Sequence, residues 1–393
     1  MAKNNNYDFV ISGAGLVGAI TSLQLSKIGY RCCLIEKTSI SKDTSFNNFA
    51  PLSLNYRSFL ILKNFGLWDD ISKYSYAITN LNLKSFNSFN RLSFESKDIG
   101  IDALGFVVDR RMLLSTFTKY IADSSNIDIL QDDYIDDITL QETNNLNIYS
   151  QLKSGHKIKS KFLIVSDGID SRIKNILNIK SHAIDYSQIS YVYNTDASFK
   201  KNTAIQIFNK YGIFAGIPST DNRFNLILSI NKEFENMFSK NNQLDTDLLE
   251  KIFKGYASNF HNLDFVSKYP LVTSRAIDIV KDNILLLGNS SQLLHPVGAQ
   301  GFNLALRNVE QLIKCMDEDS DFVNLSDSIN TDRESIFSNV DFATNIFANK
   351  RTTSRIISLV TCNLVKSSSF MHTKFLENIL GINNHPYLSI GSK

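Results

Sequence analysis

An excess of charge of either sign is missing from this 393-residue chain: 41 Lys and Arg stand against 39 Asp and Glu, a formal net charge of +2. No basic face or arm stands out, so no nucleic-acid partner is expected. Cysteine is scarce. Cys32, Cys33, Cys315 and Cys362 form no C-x-x-C pair and no metal-ligand spacing, so no metal is expected. Adjacent Cys32 and Cys33 read as structural thiols of a buried strand, a usage that fits a reducing cytosol. Long apolar runs are also lacking. No stretch reaches the roughly 18 apolar residues of a membrane span. The opening MAKNNNYDFV has no apolar h-region, so no signal peptide is expected and the expected location is cytoplasmic. The Asn, Lys and Ser bias runs through the whole chain and marks no linker.

What remains is an ordinary globular composition, 43% hydrophobic and 20% charged, able to bury a core. The length fits one large domain or two interleaved ones. Residues 7–12 read as a buried strand that leads into Gly13-Ala14-Gly15-Leu16-Val17-Gly18. An amphipathic helix is expected from there to about Lys27, then a second strand over 31–35 closed by Glu36. Gly13 permits the tight turn, Gly15 lets the backbone approach a pyrophosphate, and Gly18 lets helix and strand pack closely. The helix N-terminus offers N–H groups to phosphates. Glu36 stands where an acid accepts hydrogen bonds from ribose hydroxyls, about 20 residues beyond the glycines. The motif alone does not separate FAD from NAD(P).

Two later segments repeat the strand-then-glycine pattern. Residues 161–167 form an apolar strand ending at Asp167-Gly168, with Ser171 and Lys174 beyond; taken alone, it reads first as a plain turn. Residues 283–288 form another, running through Gly288-Asn289 into His295-Pro296-Val297-Gly298-Ala299-Gln300-Gly301-Phe302-Asn303. A helix is expected after Asn303, carrying Leu304, Leu306 and Val309. This loop and helix start make a second backbone cradle for an electron-rich group.

Together the three segments resemble the flavoprotein aromatic hydroxylases of the para-hydroxybenzoate hydroxylase superfamily, and within it the ubiquinone-biosynthesis hydroxylases. The matching positions are Gly13, Gly15, Gly18, Glu36, Asp167, Gly168, His295, Pro296, Gln300, Gly301 and Asn303. Gly288-Asn289 followed by Ser-Ser-Gln, where the superfamily has Gly-Asp, resembles the branch acting on 2-polyprenyl-6-methoxyphenol. Gly66-Leu67-Trp68 fits the family's G-x-W, or simply a helix end with a packed Trp. Phe49 stands where the family often has an Arg steadying the flavin's phosphate side, with Arg57 and Arg110 as substitutes, and Asn308 stands near a missing acid. Arg110 resembles the family's flavin-contacting Arg.

The resemblance implies an α/β fold: a Rossmann-like FAD-binding domain (1–75, 100–180 and 272–345), an inserted β-sheet substrate domain (76–99 and 181–271) and a C-terminal helical region (346–393). It implies cofactor contacts from Gly13, Gly15, Gly18, Glu36, Arg110, Asp167, Gly168, Gly288, Asn289, Pro296, Gln300, Gly301, Phe302 and Asn303. The implied reaction is hydroxylation of a prenylated phenol in ubiquinone biosynthesis by an FAD that NADPH or NADH reduces and that reacts with O₂ through a C4a-hydroperoxide. No catalytic side chain is assigned; His295 reads as shaping the loop rather than transferring a proton. Phe208, Tyr211 and Phe214 are candidates for the ring pocket or for sheet core, and 214–218 for a stretch facing the flavin. Residues 347–375 read as a basic amphipathic helix, packed on its own domain or touching the inner membrane face. A multi-enzyme complex or homo-oligomer is a candidate assembly. A hydroxylase of another aromatic compound, a flavin-binding scaffold and a reductase of prenyl double bonds remain alternatives.

Overall fold

The computed structural model describes residues 5–39, 49–84, 91–142, 146–220, 222–240, 243–318, 322–342, 344, 363, 365 and 367–382. Phe9, Val10 and Ile11 are fully buried in the strand Asn6–Ser12. Burial on both faces is what a central parallel strand requires. Cys32–Glu36 pairs with it in parallel on one side and Lys157–Val165 on the other. The sheet runs Val280–Lys281, Ile284–Leu286, Lys157–Val165, Asn6–Ser12, Cys32–Glu36, Ile127–Gln131. An antiparallel pair, Ile135–Glu142 and Leu146–Leu152, attaches to the first half of Lys157–Val165. Helices Leu16–Lys27, Arg110–Ala122 and Gln300–Asp317 bury Ala19, Leu23, Phe117, Ile121, Leu306 and Val309 in its core. Cys32 and Cys33 lie in that core, and burial pushes both thiols up, Cys33 to about 12. Neither forms a reactive thiolate at neutral pH.

The chain enters this sheet in the middle, fills one side, and returns to the other. Ligands bind at the carboxyl ends of the strands at such a switch point. The register aligns Ser12 with Val165 and Val165 with Leu286. The three segments that follow these residues therefore emerge side by side.

A second sheet has the order Gln292–Leu293, Ala257–Ala276, Ser181–Phe199, Arg223–Asn231, Gly212–Pro218, Thr203–Asn209, Asn80–Lys84, Arg91–Glu95. All its pairings are antiparallel except Thr203–Asn209 with Asn80–Lys84, which joins two distant stretches of chain. One face buries Tyr191, Tyr193, Phe214, Leu226, Leu228 and Ile230 with Leu249 and Phe253 of the helix Thr246–Phe253. The other face carries Leu92, Phe94 and Phe208, packed with Val297, Leu304, Ile336 and Val340. Pro51–Asn55, Gly105–Asp109 and Tyr76–Ile78 form a small third sheet.

One expectation changes, one of two open readings is taken up, and one falls mostly outside the described residues. The late helix begins at Gln300, so Gly301, Phe302 and Asn303 lie in its first turn rather than in the loop. Trp68 packs edge-on against Phe59 and Phe106, the packing role. Of the expected helix over 347–375, Lys350, Arg351, Arg355, Ile356, Ile357, Leu359, Val360, Leu364 and Lys366 lie outside the described residues. Its last part belongs to the helix Ser369–Leu380, which starts on the Ser368 side chain and buries Leu376 and Leu380 against this chain's own core. Among the described residues, no helix is long and apolar enough to cross a membrane.

Candidate functional site

The first motif is held by contact with the second. Gly13 has φ +95, and a Cβ there would stand 2.6 Å from the Ser166 carbonyl oxygen and 2.8 Å from Asp167 Cα. The Gly13 N–H donates to Ile35 O at 2.8 Å, and Ser166 Oγ donates to Gly13 O at 3.0 Å. A Cβ on Gly18 would lie 1.8 Å from Gly13 O. On Gly15 it would meet nothing within 4 Å, so this glycine faces open space. Glu36 Oε2 accepts the Ala14 N–H at 2.6 Å, which fixes the carboxylate beside the loop.

The third motif closes on the first. Gly288 has φ +63, and a Cβ there would approach Val17 Cγ2 to 3.0 Å. Ser290 Oγ donates to Val165 O at 2.5 Å, binding the motif to the strand before Asp167. Gly13, Gly15, Gly18, Glu36, Asp167, Gly168, Gly288 and Asn289 thus gather at one edge of the sheet. Arg110 is the exposed first residue of its helix, its N–H donating to Ala50 O at 2.9 Å. Asp167 is reached by water in the open cleft, yet protein surrounds most of its carboxyl. That desolvation pushes its pKa up to about 6, with Ser171 and Lys174 opposing and Glu36 adding. At neutral pH it remains an acceptor.

The late loop runs between the two sheets. Gln292–Leu293 pairs with Ser274 and Arg275 of the second sheet, and Gln300 then starts the 18-residue helix packed on the first. His295 is 1% exposed. Its Nδ1 accepts the Val297 N–H at 3.1 Å, so Nε2 carries the proton and donates to Gln188 Oε1 at 2.9 Å. Tyr186 meets the ring edge-on at 5.1 Å. Burial lowers the imidazole pKa to about 4. A neutral ring with both nitrogens occupied shapes the loop and has no proton to exchange at neutral pH. The free imidazole takes its proton near 6.5, so this contribution to stability is complete above that pH and is lost as pH falls toward 4. We expect the loss between pH 7.5 and pH 5, measured by urea denaturation, to be roughly 2 kcal/mol larger in wild type than in His295→Gln. Equal losses in the two proteins would show the ring to be solvated or charged.

Several residues turn inward. Asn303 Oδ1 accepts from Asn55 N at 3.0 Å and Ser58 Oγ at 2.6 Å, while Nδ2 donates to Ser53 O and Ala299 O. All four of its hydrogen-bonding positions are spent on the protein, so it clips the loop to Pro51–Asn55. Phe302 packs partly buried on the first core. Arg57 is ion-paired to Glu310 at 2.5 Å. Phe49 packs with Ile78, Val107 and Ile217, and its carbonyl accepts from Asn194 Nδ2 at 2.8 Å. Asn308 Oδ1 accepts from Gln292 Nε2 at 3.0 Å, two neutral amides at the site of the missing acid.

Beyond Pro296–Gln300 opens a cavity of about 510 Å³. Leu81, Leu83, Phe208, Ala215 and Ile217 line it from the second sheet, and Met371, Phe375 and Ile379 from the C-terminal helix. Phe208 is therefore a cavity residue. Tyr211 and Phe214 are not: both pack against Phe238 on the opposite face of the sheet. Gln206, unmarked by the motifs, lines the cavity and accepts the Gly298 N–H at 3.3 Å. Its signal was a polar residue between Ala204 and Phe208 on one face of an alternating strand.

The arrangement fits a dinucleotide flavin. Helices Leu16–Lys27 and Gln300–Asp317 both begin at the cleft with no side-chain cap and no acid in the first turn. Their free N–H groups and positive dipole ends suit an anionic or electron-rich ligand. Gly15, Gly168 and Gly301 open onto space that a Cβ would enter unopposed.

Comparison with known proteins agrees. The chain is 22% identical over 317 residues to the ubiquinone hydroxylase UbiM of Neisseria meningitidis, covering 78% of this chain and 68% of that protein. It is 22% identical over 326 residues to the 3-demethoxyubiquinol 3-hydroxylase of Escherichia coli, covering 79% of each. Among solved structures, the p-nitrophenol 4-monooxygenase PnpA of Pseudomonas putida superposes with a TM-score of 0.74 at 14% identity, over 97% of this chain and 99% of that one. The last likeness is one of fold. A family model described as FAD binding domain matches residues 6–318, and the chain belongs to that family as an FAD-dependent enzyme of the monooxygenase type.

Proposed function

We propose that this enzyme hydroxylates the ring of a phenol carrying a prenyl chain, in ubiquinone biosynthesis, using NADPH or NADH and O₂. The observation that carries the reading is the apolar cavity opening directly off Pro296–Gln300. Its volume and lining suit a greasy substituent beside a ring. The relatives named as ubiquinone hydroxylases supply the pathway.

In this reading Gly13, Gly15 and Gly18 with their helix hold the pyrophosphate, and Glu36 a ribose hydroxyl. Asp167, Gly168, Gly288, Asn289 and Arg110 hold the rest of the dinucleotide. Pro296, Gln300 and Gly301 with Phe302 and Asn303 form the flavin-ring end. The first sheet is the FAD-binding part and the second the substrate part. When bound and reduced, FAD supplies the oxygen activation. The protein's share is to orient the phenol, exclude water and present N–H dipoles to developing negative charge. A prenylated substrate resides in lipid, so a peripheral membrane encounter belongs to the same reading.

The test is NAD(P)H oxidation by the FAD-loaded protein with and without a short-chain 2-prenylphenol, followed by mass spectrometry of the product formed under ¹⁸O₂. We expect stimulated oxidation and one labelled oxygen on the ring. Preference for a soluble aromatic acid, or no stimulation by any phenol, overturns it.

A further inference from the structure

The late loop carries backbone strain that side chains hold in place. Gly298 has φ +68, and Ala299, which has a Cβ, has φ +52. A left-handed alanine is unfavourable and persists where its surroundings fix it. Gln206 Oε1 accepts the Gly298 N–H at 3.3 Å, and Asn303 Nδ2 donates to Ala299 O at 2.6 Å. His295 Nδ1 accepts the Val297 N–H at 3.1 Å. This last grip depends on a further choice, since an imidazole can carry its proton on either nitrogen.

Residues of the second sheet make that choice. Ser187 has φ +52 and donates its N–H to Asp185 Oδ1 at 2.7 Å, where the pairing of Ser181–Phe199 with Ala257–Ala276 slips between Asp185 and Ile189. Such a bulge re-aims the neighbouring side chains. Gln188 follows it, 6% exposed and directly opposite Asn231 of the adjacent strand. Its Nε2 donates to Asn231 Oδ1 at 2.7 Å, and its Oε1 accepts from His295 Nε2 at 2.9 Å. Asn231 Nδ2 donates in turn to Lys210 O at 3.2 Å. The chain therefore runs from a backbone carbonyl at Lys210 to a backbone N–H at Val297. A carbonyl only accepts and an N–H only donates, so a single orientation of both amides and the imidazole satisfies every link. Tyr186, which meets the imidazole edge-on, spends its hydroxyl on Asp341 at 2.8 Å.

Among the described residues that line the cavity, neither Gln188 nor His295 is present, so their influence on the site passes through the loop. Resting on the reading of Pro296–Gln300 as the flavin-ring end, we propose that Gln188 is a positioning residue of this enzyme. By accepting the Nε2 proton it keeps Nδ1 of His295 bare toward Val297, and so holds the turn against which the flavin ring rests. The second sheet, which lines the cavity, thereby also sets the shape of the flavin loop.

The test is a double-mutant cycle on FAD affinity, joined to the ¹⁵N spectrum of ¹⁵N-histidine-labelled, FAD-loaded protein. Gln188→Met and His295→Leu should each weaken FAD binding about tenfold, the size of one buried hydrogen bond. The double variant should be no weaker than either alone, because the two act as one device. Losses that multiply to about a hundredfold would overturn the proposal, as would unchanged affinity in Gln188→Met. In wild type the His295 signal, assigned by its absence from His295→Leu, should show a bare Nδ1 and a protonated Nε2. The Nε2 proton should move upfield in Gln188→Met, where it has lost its acceptor. A protonated Nδ1 in wild type refutes the assignment without any variant, and so decides the matter even if the methionine variant does not fold. If the proton moves in Gln188→Met while FAD affinity and flavin absorbance stay unchanged, the loop does not hold the flavin ring. That outcome refutes the reading beneath the proposal, and the proposal with it.

Discussion

Gly18→Val is expected to yield a colourless, destabilised protein, whereas Gly15→Val should yield a stable one that has lost its flavin. The two glycines are three residues apart and meet opposite surroundings. A Cβ at 18 would lie 1.8 Å from Gly13 O and 2.6 Å from Ser166 Oγ. The carbonyl cannot retreat, because Gly13 is held by Ile35 through its N–H and by Ser166 through its oxygen. The helix must move off the sheet instead, at a cost of about 3 kcal/mol or more. That movement carries its N-terminus away from the cleft. Gly15 has φ −65, which any residue adopts, and nothing stands within 4 Å of its missing Cβ. Valine there fills only the space reserved for the cofactor. Flavin absorbance after desalting and a thermal melt of each variant check both halves. Stoichiometric FAD in Gly15→Val would mean that the pyrophosphate does not lie on this loop.

Arg333→Ala should lower stability by about 3–5 kcal/mol. Arg333 is the largest fully buried side chain among the described residues, 1% exposed. One guanidinium nitrogen donates to Ala276 O at 2.9 Å and Ser291 O at 3.2 Å, and another to Asn330 Oδ1 at 2.5 Å. Ala276 ends a strand of the second sheet and Ser291 belongs to the late motif, so the side chain clamps the junction. Burial lowers its pKa to about 10, which still leaves it charged at neutral pH. Alanine leaves a cavity and carbonyls short of a donor. Arg333→Met keeps the volume and removes a poorly solvated charge, so it should recover at least half of the loss. Urea denaturation decides it, and an alanine variant within about 1 kcal/mol of wild type would show the clamp to be idle.

The first motif was legible because its physics is local: strand, turn, helix and acid lie within one β-α-β unit. The meeting of Gly13 with Asp167 and of Gly288 with Val17 was not, since no periodicity says which distant strands become neighbours. Only the resemblance supplied it. The late helix was placed too late because Gly301 is a poor helix former, whereas packing of Leu304 and Leu306 carries the helix back through it. Phe208 and Phe214 looked equivalent as aromatic residues in alternating strands. The hairpin register pairs Ile207 with Phe214 and Phe208 with Ile213, which sends the two rings to opposite faces. Arg333 had no signal at all: its partners Ala276 and Ser291 are far away in sequence and offer only backbone. The cavity's lining was equally hidden, since Gln206 comes from a strand of the second sheet and Gln300 from the start of a helix packed on the first.

The order of strands in the first sheet also sets a timetable for the nascent chain. Asn6–Ser12 leaves the ribosome early, but its partner Lys157–Val165 follows about 150 residues later, and Ile284–Leu286 closes the edge roughly 270 residues after Ser12. At the usual pace of translation the wait of Asn6–Ser12 for Lys157–Val165 is roughly 7–30 s. Through that interval Phe9, Val10 and Ile11 belong to a strand with one unpaired edge, a template for aggregation. Synthesis in the cell therefore favours early shielding by chaperones, and the flavin can be loaded only after the last of the three strands has emerged.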